Sequence, residues 1–256
     1  MTEQRVKTGI PGFDAMLGGG FLPETANLVE GAPGTGKTVL GLQFIYNGIT
    51  RFDEPGLILT FEVFPDQCYQ DALSFNWDFG ALEEAGKLRT VMASPESSLS
   101  ELERTGGVVQ SACQEIGARR VLVDSISHFR PLAADSVQLR QIVHRFINGL
   151  KREGLTSILT QESDRLLGSG SQADEELSHL VDSYILLRYV EIDSAVHRAL
   201  LALKVRGTDH AKDIRQFEIT STGIQVRSRF EGQEAIMSGS PRRMAVSFVE
   251  AFVRKQ

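Results

Sequence analysis

Apolar residues along this chain come in short β-branched runs separated by longer stretches with helical spacing. The runs at 25–30 (TANLVE), 57–61 (LILTF), 121–124 (VLVD) and 156–160 (TSILT) predict four buried strands. Residues 37–49 predict a helix that is apolar over much of its surface. Between the last two strands, Leu139, Ile142, Val143, Phe146, Ile147 and Leu150 recur on one helical face. Asp135 or Ser136 can cap the start of that helix, and Gly154 can end it. Ser98 and Glu101 have the spacing of a capping box for an earlier helix, which Gly106 and Gly107 would weaken or break. Strand–helix alternation predicts right-handed crossovers and a mostly parallel sheet with helices on both faces, an α/β fold.

After about residue 183 the pattern changes. SYILLRYVEI, HRALLALKVRG, RQFEIT and GIQV are strand-like runs with turn signals and no helices between them. They predict antiparallel strands that extend one edge of the sheet. Residues 1–235 form the main domain in this reading, and 236–256 a C-terminal tail with a short helix over 245–253.

Composition changes this picture little. The formal net charge of −6 gives no general pull toward nucleic acid, and Cys68 and Cys113 lack metal-ligand spacing. They read as two reduced, buried thiols. No apolar run is long enough to span a bilayer and MTEQRVKTG has no apolar signal region, so the expected location is the cytoplasm.

The sharpest chemistry lies at 31–38, GAPGTGKT, between a predicted strand and a predicted helix. Gly31, Gly34 and Gly36 let successive backbone N–H groups turn inward on phosphate oxygens. Lys37 adds a point charge near the β- and γ-phosphates, the Thr38 hydroxyl is a Mg²⁺ ligand, and the helix dipole favours the same anion. Thr35 and Val39 complete the phosphate-binding stretch. Such a site needs a carboxylate to order the metal and its waters, and Asp124 stands at the C-terminal end of VLVD. Glu62 follows the second strand in LTFEV, at the height of a base that could polarise a water or a hydroxyl; a solvated strand-end Glu is the competing reading.

At these residues the chain resembles the KaiC family, within the RecA-like P-loop ATPases. The likeness runs through TGIPGFDAMLGGGFLPETANLVEGAPGTGKT, ILTFE, RRVLVDSIS, LLRYVEI, LKVRGTDHAKDIRQFEIT and IMSGSPRR, the last being similar to the end of the second ATPase domain of the circadian-clock member. The resemblance implies a RecA-like fold, ATP and Mg²⁺ as cofactors, and Glu62 as catalytic glutamate. Where the clock protein has a second glutamate, this chain has Val63. The resemblance also places Trp77 beside the nucleotide base, against a core or lid role. It makes Lys204 and Arg206, with the intervening Val205, residues that reach the neighbouring subunit's nucleotide, and it puts Arg198, His210 and Lys212 on the same contacting edge. Cationic fingers of that kind neutralise charge on a transferring phosphoryl group.

A site completed in trans implies a homo-oligomer, most simply a hexameric ring as in the family, although a head-to-tail interface that does not close gives a filament. The stretch EELSHLVDS matches the family's phosphorylated Ser–Thr pair, with Ser178 on the serine and His179 on the threonine, so Ser178 is the one candidate phosphoacceptor. Three functions remain open. The first is a ring ATPase coupled to a partner protein, with or without Ser178 phosphorylation. The second is a RecA- or RadA-like DNA-dependent ATPase, disfavoured by the acidic balance and by the negative loop at 163–177. The third is a nucleotide-gated scaffold with little turnover, which Val63 favours.

Overall fold

The strand before the glycine-rich loop, β1 (Ala26–Gly31), is buried along its whole length, because it lies in the middle of the sheet with a partner on either side. The computed structural model describes residues 4–103, 107–163, 177–230, 233–234 and 242–243. A short helix α1 (Phe13–Met16) precedes β1, and α2 (Lys37–Phe52) leads to β2 (Gly56–Thr60). Two short helices, α3 (Pro65–Leu73) and α4 (Phe79–Glu84), then lead to β3 (Leu88–Met92). Next come α5 (Pro95–Glu103), α6 (Val108–Ile116) and β4 (Arg120–Asp124), and after a 3-10 turn at Ile126–Leu132, α7 (Ser136–Arg152) and β5 (Thr156–Glu162). The remaining long strands are β6 (Ser183–Ile192), β7 (Ala195–Val205), β8 (Arg215–Thr220) and β9 (Gly223–Arg229).

Among the described residues, nine strands form one sheet in the order β3-β2-β4-β5-β1-β6-β7-β8-β9. The first six in that order run parallel and the last three are added antiparallel. One expectation changes here: β6, grouped with the antiparallel strands, pairs in parallel with β1, and the direction reverses only at β7. Two two-residue strands, Gln233–Glu234 and Arg242–Arg243, pair with each other across the expected boundary at residue 235. The expected tail helix lies outside the described residues.

Both faces of the sheet are covered, so alternate residues of each strand enter different cores. Val29, Ile58, Leu122 and Ile158 join the core under α2. Leu28, Leu57, Leu59, Val121, Val123 and Leu159 join the one under α6 and α7. All six apolar positions predicted for α7 are buried, and Asp135 caps the helix by accepting from the Gln138 N–H at 2.8 Å. Gly154 follows with a left-handed φ of 72°. The expected capping box at Ser98 is not formed. α5 begins earlier, at Pro95, which suits a first helical turn. The Ser94 hydroxyl accepts from the Ser97 N–H at 3.1 Å, while Ser98 is buried inside the helix. Gly107 does separate α5 from α6, as its N-cap. Cys68 and Cys113 are free and buried, and burial pushes both thiols up to about 12.

Close packing of α2 on the sheet is what seats the glycine-rich loop. At Gly41, one turn into α2, an added Cβ would lie 2.3 Å from Leu122 Cδ1 and 3.0 Å from its Cδ2. Leu122 is fully buried on β4, and both of its methyl groups would have to shift, toward the cavity they line, to take up the overlap. Gly41→Ala is therefore expected to destabilise by about 1–3 kcal/mol, although alanine is the better helix former. A urea midpoint measures this; the pair Gly41→Ala with Leu122→Val should recover part of the loss, and a stabilised single variant would refute the packing argument.

Candidate functional site

The loop at 31–38 leaves the C-terminal end of β1 and enters α2 through two glycines with positive φ, Gly34 at 76° and Gly36 at 105°. Their missing side chains also permit close packing. A Cβ on Gly34 would meet the Tyr189 hydroxyl at 2.8 Å, and one on Gly36 would meet Ile219 Cδ1 at 2.9 Å. The loop is therefore braced by β6 and β8. Thr35 is buried and its hydroxyl donates to the Ala32 carbonyl at 2.8 Å, and the Lys37 ammonium donates to the same carbonyl at 3.1 Å. Burial pulls Lys37 below the usual lysine range, while Glu162, Asp124 and Glu30 act in the opposite direction. A phosphate in the loop would supply the anionic partner that a buried ammonium needs.

Parallel strand directions bring the remaining groups to the same end. The register sets Gly31 beside Glu162 and Thr60 beside Asp124. Thr38 donates to Asp124 Oδ2 at 2.8 Å, and Thr160 on β5 donates to Asp124 Oδ1. This hydroxyl–carboxylate pair, with the phosphate loop next to it, suits a hard cation that takes few protein oxygens and keeps waters and phosphates as its other ligands. Among the described residues no group of three or more His, Cys, Asp or Glu forms a self-sufficient metal cage. A cavity of about 530 Å³ opens beside the pair, with Leu42, Ile58, Cys68 and Phe75 among its apolar walls and Val39 and Val63 also facing it.

Glu62 lies just past β2 at this end of the sheet. Its carboxylate is exposed, and Oε2 is 3.5 Å from His128 Nε2 on the 3-10 turn. Trp77 is placed differently from the base-stacking expectation. It is 4% exposed and stacked between Tyr46 and Phe75, at ring distances of 5.6 and 4.8 Å, so it is a core residue here.

The cationic residues do not form the single edge expected. β7 runs antiparallel, so Arg198, near its start, lies toward the phosphate-loop end, 5.6 Å over the ring of Tyr189. Lys204 and Arg206 lie about 20 Å further on, at roughly 3.3 Å per residue, toward the opposite end of the sheet. There Lys204 donates to the carbonyls of Ser178 and Val181 at 2.9 and 2.7 Å. Burial lowers its pKa, and Arg206 adds to the effect. The exposed Arg206 donates to the His179 carbonyl at 3.3 Å and lies 3.5 Å from Asp182. Val205 between them is buried core. His210, half-buried, and Lys212, exposed, lie in the connection from β7 to β8. Ser178 is half-buried in the turn that Lys204 and Arg206 brace, and residues 164–176 of the preceding loop lie outside the described residues.

Sequence reasoning missed Tyr189, Thr160, Glu162 and His128. Thr160 and Glu162 had a usable signal, polar residues ending a buried strand in TSILTQE. Tyr189 and His128 had none, because their importance depends on which strands are neighbours.

A family model described as "ATPase: KaiC" matches residues 6–231. The chain is 35% identical over 242 residues to the circadian clock oscillator protein KaiC of Thermostichus vulcanus, covering 94% of this chain and 46% of that protein. It is 34% identical over 242 residues to the protein of the same name from Synechococcus elongatus, covering 94% and 46%. It is also 35% identical over 253 residues to the circadian clock protein KaiC3 of Synechocystis sp., covering 97% and 48%. The chain thus spans about half the length of the curated relatives it matches. No helix among the described residues is long and apolar enough to cross a membrane.

Proposed function

The chain belongs to the KaiC family of ATPases, and we propose that it is a Mg²⁺-dependent ATP hydrolase whose site is completed by a neighbouring copy of itself. The observation that carries this reading is the separation of the cations from the phosphate loop. Lys204 and Arg206 extend from the opposite end of the sheet and cannot serve the nucleotide held by their own chain. If they neutralise a phosphoryl group, it is another subunit's. A head-to-tail assembly, most simply a closed hexameric ring, satisfies that geometry.

In this mechanism the loop N–H groups and Lys37 bind the phosphates, and Thr38 with Asp124 would hold Mg²⁺. The bound cation would supply neutralisation of charge on the phosphate oxygens. Glu62 accepts a hydrogen bond from the attacking water and orients it in line. Arg206 and Lys204 of the next copy stabilise negative charge developing on the transferred group. Ser178 lies beside those two cations, on the surface that must then face the neighbour's nucleotide, and this supports it as a second acceptor for the phosphoryl group. Coupling to a partner protein in the cytoplasm completes the proposal. A second reading, a nucleotide-gated scaffold with little turnover, is favoured by the one observation that Glu62 pairs with His128 instead of facing the cavity beside Thr38 and Asp124.

The deciding experiment follows the label from γ-labelled Mg²⁺-ATP into free and protein-bound phosphate in one sample. Slow release of free phosphate is expected, and none at all would favour the scaffold. Label retained on protein and lost in Ser178→Ala would establish autophosphorylation. Arg206→Ala should lower release by about 10²-fold. Mixing it with Lys37→Ala protein should restore activity, since each copy then supplies what the other lacks; undiminished hydrolysis in Arg206→Ala alone would eliminate the trans role.

A further inference from the structure

The turn after β2 decides which side chains reach the metal end of the site. The Thr60 hydroxyl donates to the Val63 carbonyl at 2.6 Å and closes the turn. Val63 then faces the cavity beside Thr38 and Asp124, and Glu62 points outward with its side chain 77% exposed. The group it meets is held firmly. His128 lies on the 3-10 turn that Ser125 caps by accepting from the Ser127 N–H at 3.1 Å. The Ser127 hydroxyl accepts from the Glu162 N–H at 2.9 Å, which ties the turn to β5. The imidazole packs edge-on against Phe61 at a ring distance of 6.0 Å, and Phe61 in turn packs on Phe129 at 5.4 Å.

From this arrangement we propose that His128 is a positioning residue that parks the Glu62 carboxylate away from the reacting phosphate. Glu62 must leave the imidazole before it can orient water. The proposal rests on the reading of Glu62 as the hydrolytic base. It adds a small step before hydrolysis, because each cycle starts by breaking the Glu62–His128 contact. The parking is charge-dependent in a defined sense. Protonation of the imidazole would turn the 3.5 Å contact into an ion pair, so hydrolysis is expected to be more restrained at lower pH. Charged residues on the turn and on the elements next to it or packed against it include Arg130 on the turn itself, Asp124 on β4, Glu162 on β5, Glu96 on α5, and Arg140, His144 and Arg145 on α7. Among the described residues only Glu62 lies within ion-pair distance of His128.

The test is hydrolysis of Mg²⁺-ATP by the full chain at pH 6 and pH 8 in wild type, His128→Ala, His128→Gln and Glu62→Gln. At pH 6 His128→Ala should be faster than wild type by about two- to fivefold, the range expected from a partly exposed ion pair. At pH 8 the two should converge. His128→Gln, which can donate but cannot become charged, should lose the same pH difference and covers the case in which the alanine variant does not fold. A rate below wild type at both pH values would overturn the proposal by making His128 an aid to Glu62, and identical rates at both would overturn it by making the contact irrelevant. Acceleration by His128→Ala in the Glu62→Gln background would also overturn it, because nothing would remain to park. Undiminished hydrolysis in Glu62→Gln by itself would instead overturn the reading of Glu62 as base.

Discussion

Lys37→Ala is expected to lose ATP hydrolysis by about 10²–10³-fold, the cost of removing a preorganised charge-stabilising group from a phosphoryl-transfer site. The structure shows why no other residue substitutes. Lys37 is 7% exposed, and its ammonium is held at the loop by the Ala32 carbonyl. The charges acting on it from around the site are the carboxylates Glu162, Asp124 and Glu30. Without Lys37, a phosphate entering the loop would keep the backbone N–H donors and the Thr38 hydroxyl but lose the charge that offsets the carboxylates Glu162, Asp124 and Glu30. Binding of a fluorescent ATP analogue should weaken together with turnover, since the charge acts on the ground state as well as on the transition state. Hydrolysis within about threefold of wild type would show that the phosphate is held elsewhere.

The second large effect concerns stability. Glu30→Ala is expected to cost about 3–5 kcal/mol, because it leaves a buried guanidinium without its carboxylate. Glu30 sits fully buried on β1, immediately before the glycine-rich loop, and Arg188 on the neighbouring β6 donates to it through Nη2 with its side chain only 4% exposed. The Tyr184 hydroxyl donates to the other carboxylate oxygen. Replacing both charged partners, as in Glu30→Met with Arg188→Met, should restore most of the loss, since a buried ion pair is worth little more than well-packed apolar groups of similar volume. Urea unfolding at fixed protein concentration measures both variants. A single-variant loss below about 1 kcal/mol would mean that water reaches Arg188 once Glu30 is gone.

How far the chain could be understood before its structure depended on how local each feature is. The glycine-rich loop was readable because its φ angles, its lysine and its hydroxyl all follow from eight consecutive residues. Helix α7 was readable because its buried face repeats every three to four residues over seventeen positions. Strand β3 was missed: LRTVM is an edge strand, buried fully only at Leu88, and it carries no clean alternation. Helices α3 and α4 are too short for periodicity to accumulate. At Ser98 the local pattern fitted a cap, but Pro95 had already started the helix. Trp77 matched a family position, yet aromatic neighbours from α2 and from its own turn enclose it.

Features that depend on strand order were out of reach. In the sequence, Arg198, Lys204 and Arg206 look like one basic edge because they lie within nine residues of each other. The antiparallel direction of β7 sends Arg198 toward the phosphate loop and the other two toward the turn at Ser178. His128 and Glu62 are 66 positions apart and meet only because β2 and β4 are neighbours. The sequence by itself determined a strand–loop–helix unit of the kind that suits a phosphate, with Asp124 at a strand end, because those requirements are met by residues adjacent in the chain. Tertiary structure alone decided which carboxylates surround Lys37, which residue meets Glu62, and which cations lie away from the glycine-rich loop of their own chain. Those relations are set by the order and direction of strands in the sheet, and no stretch of sequence contains both partners.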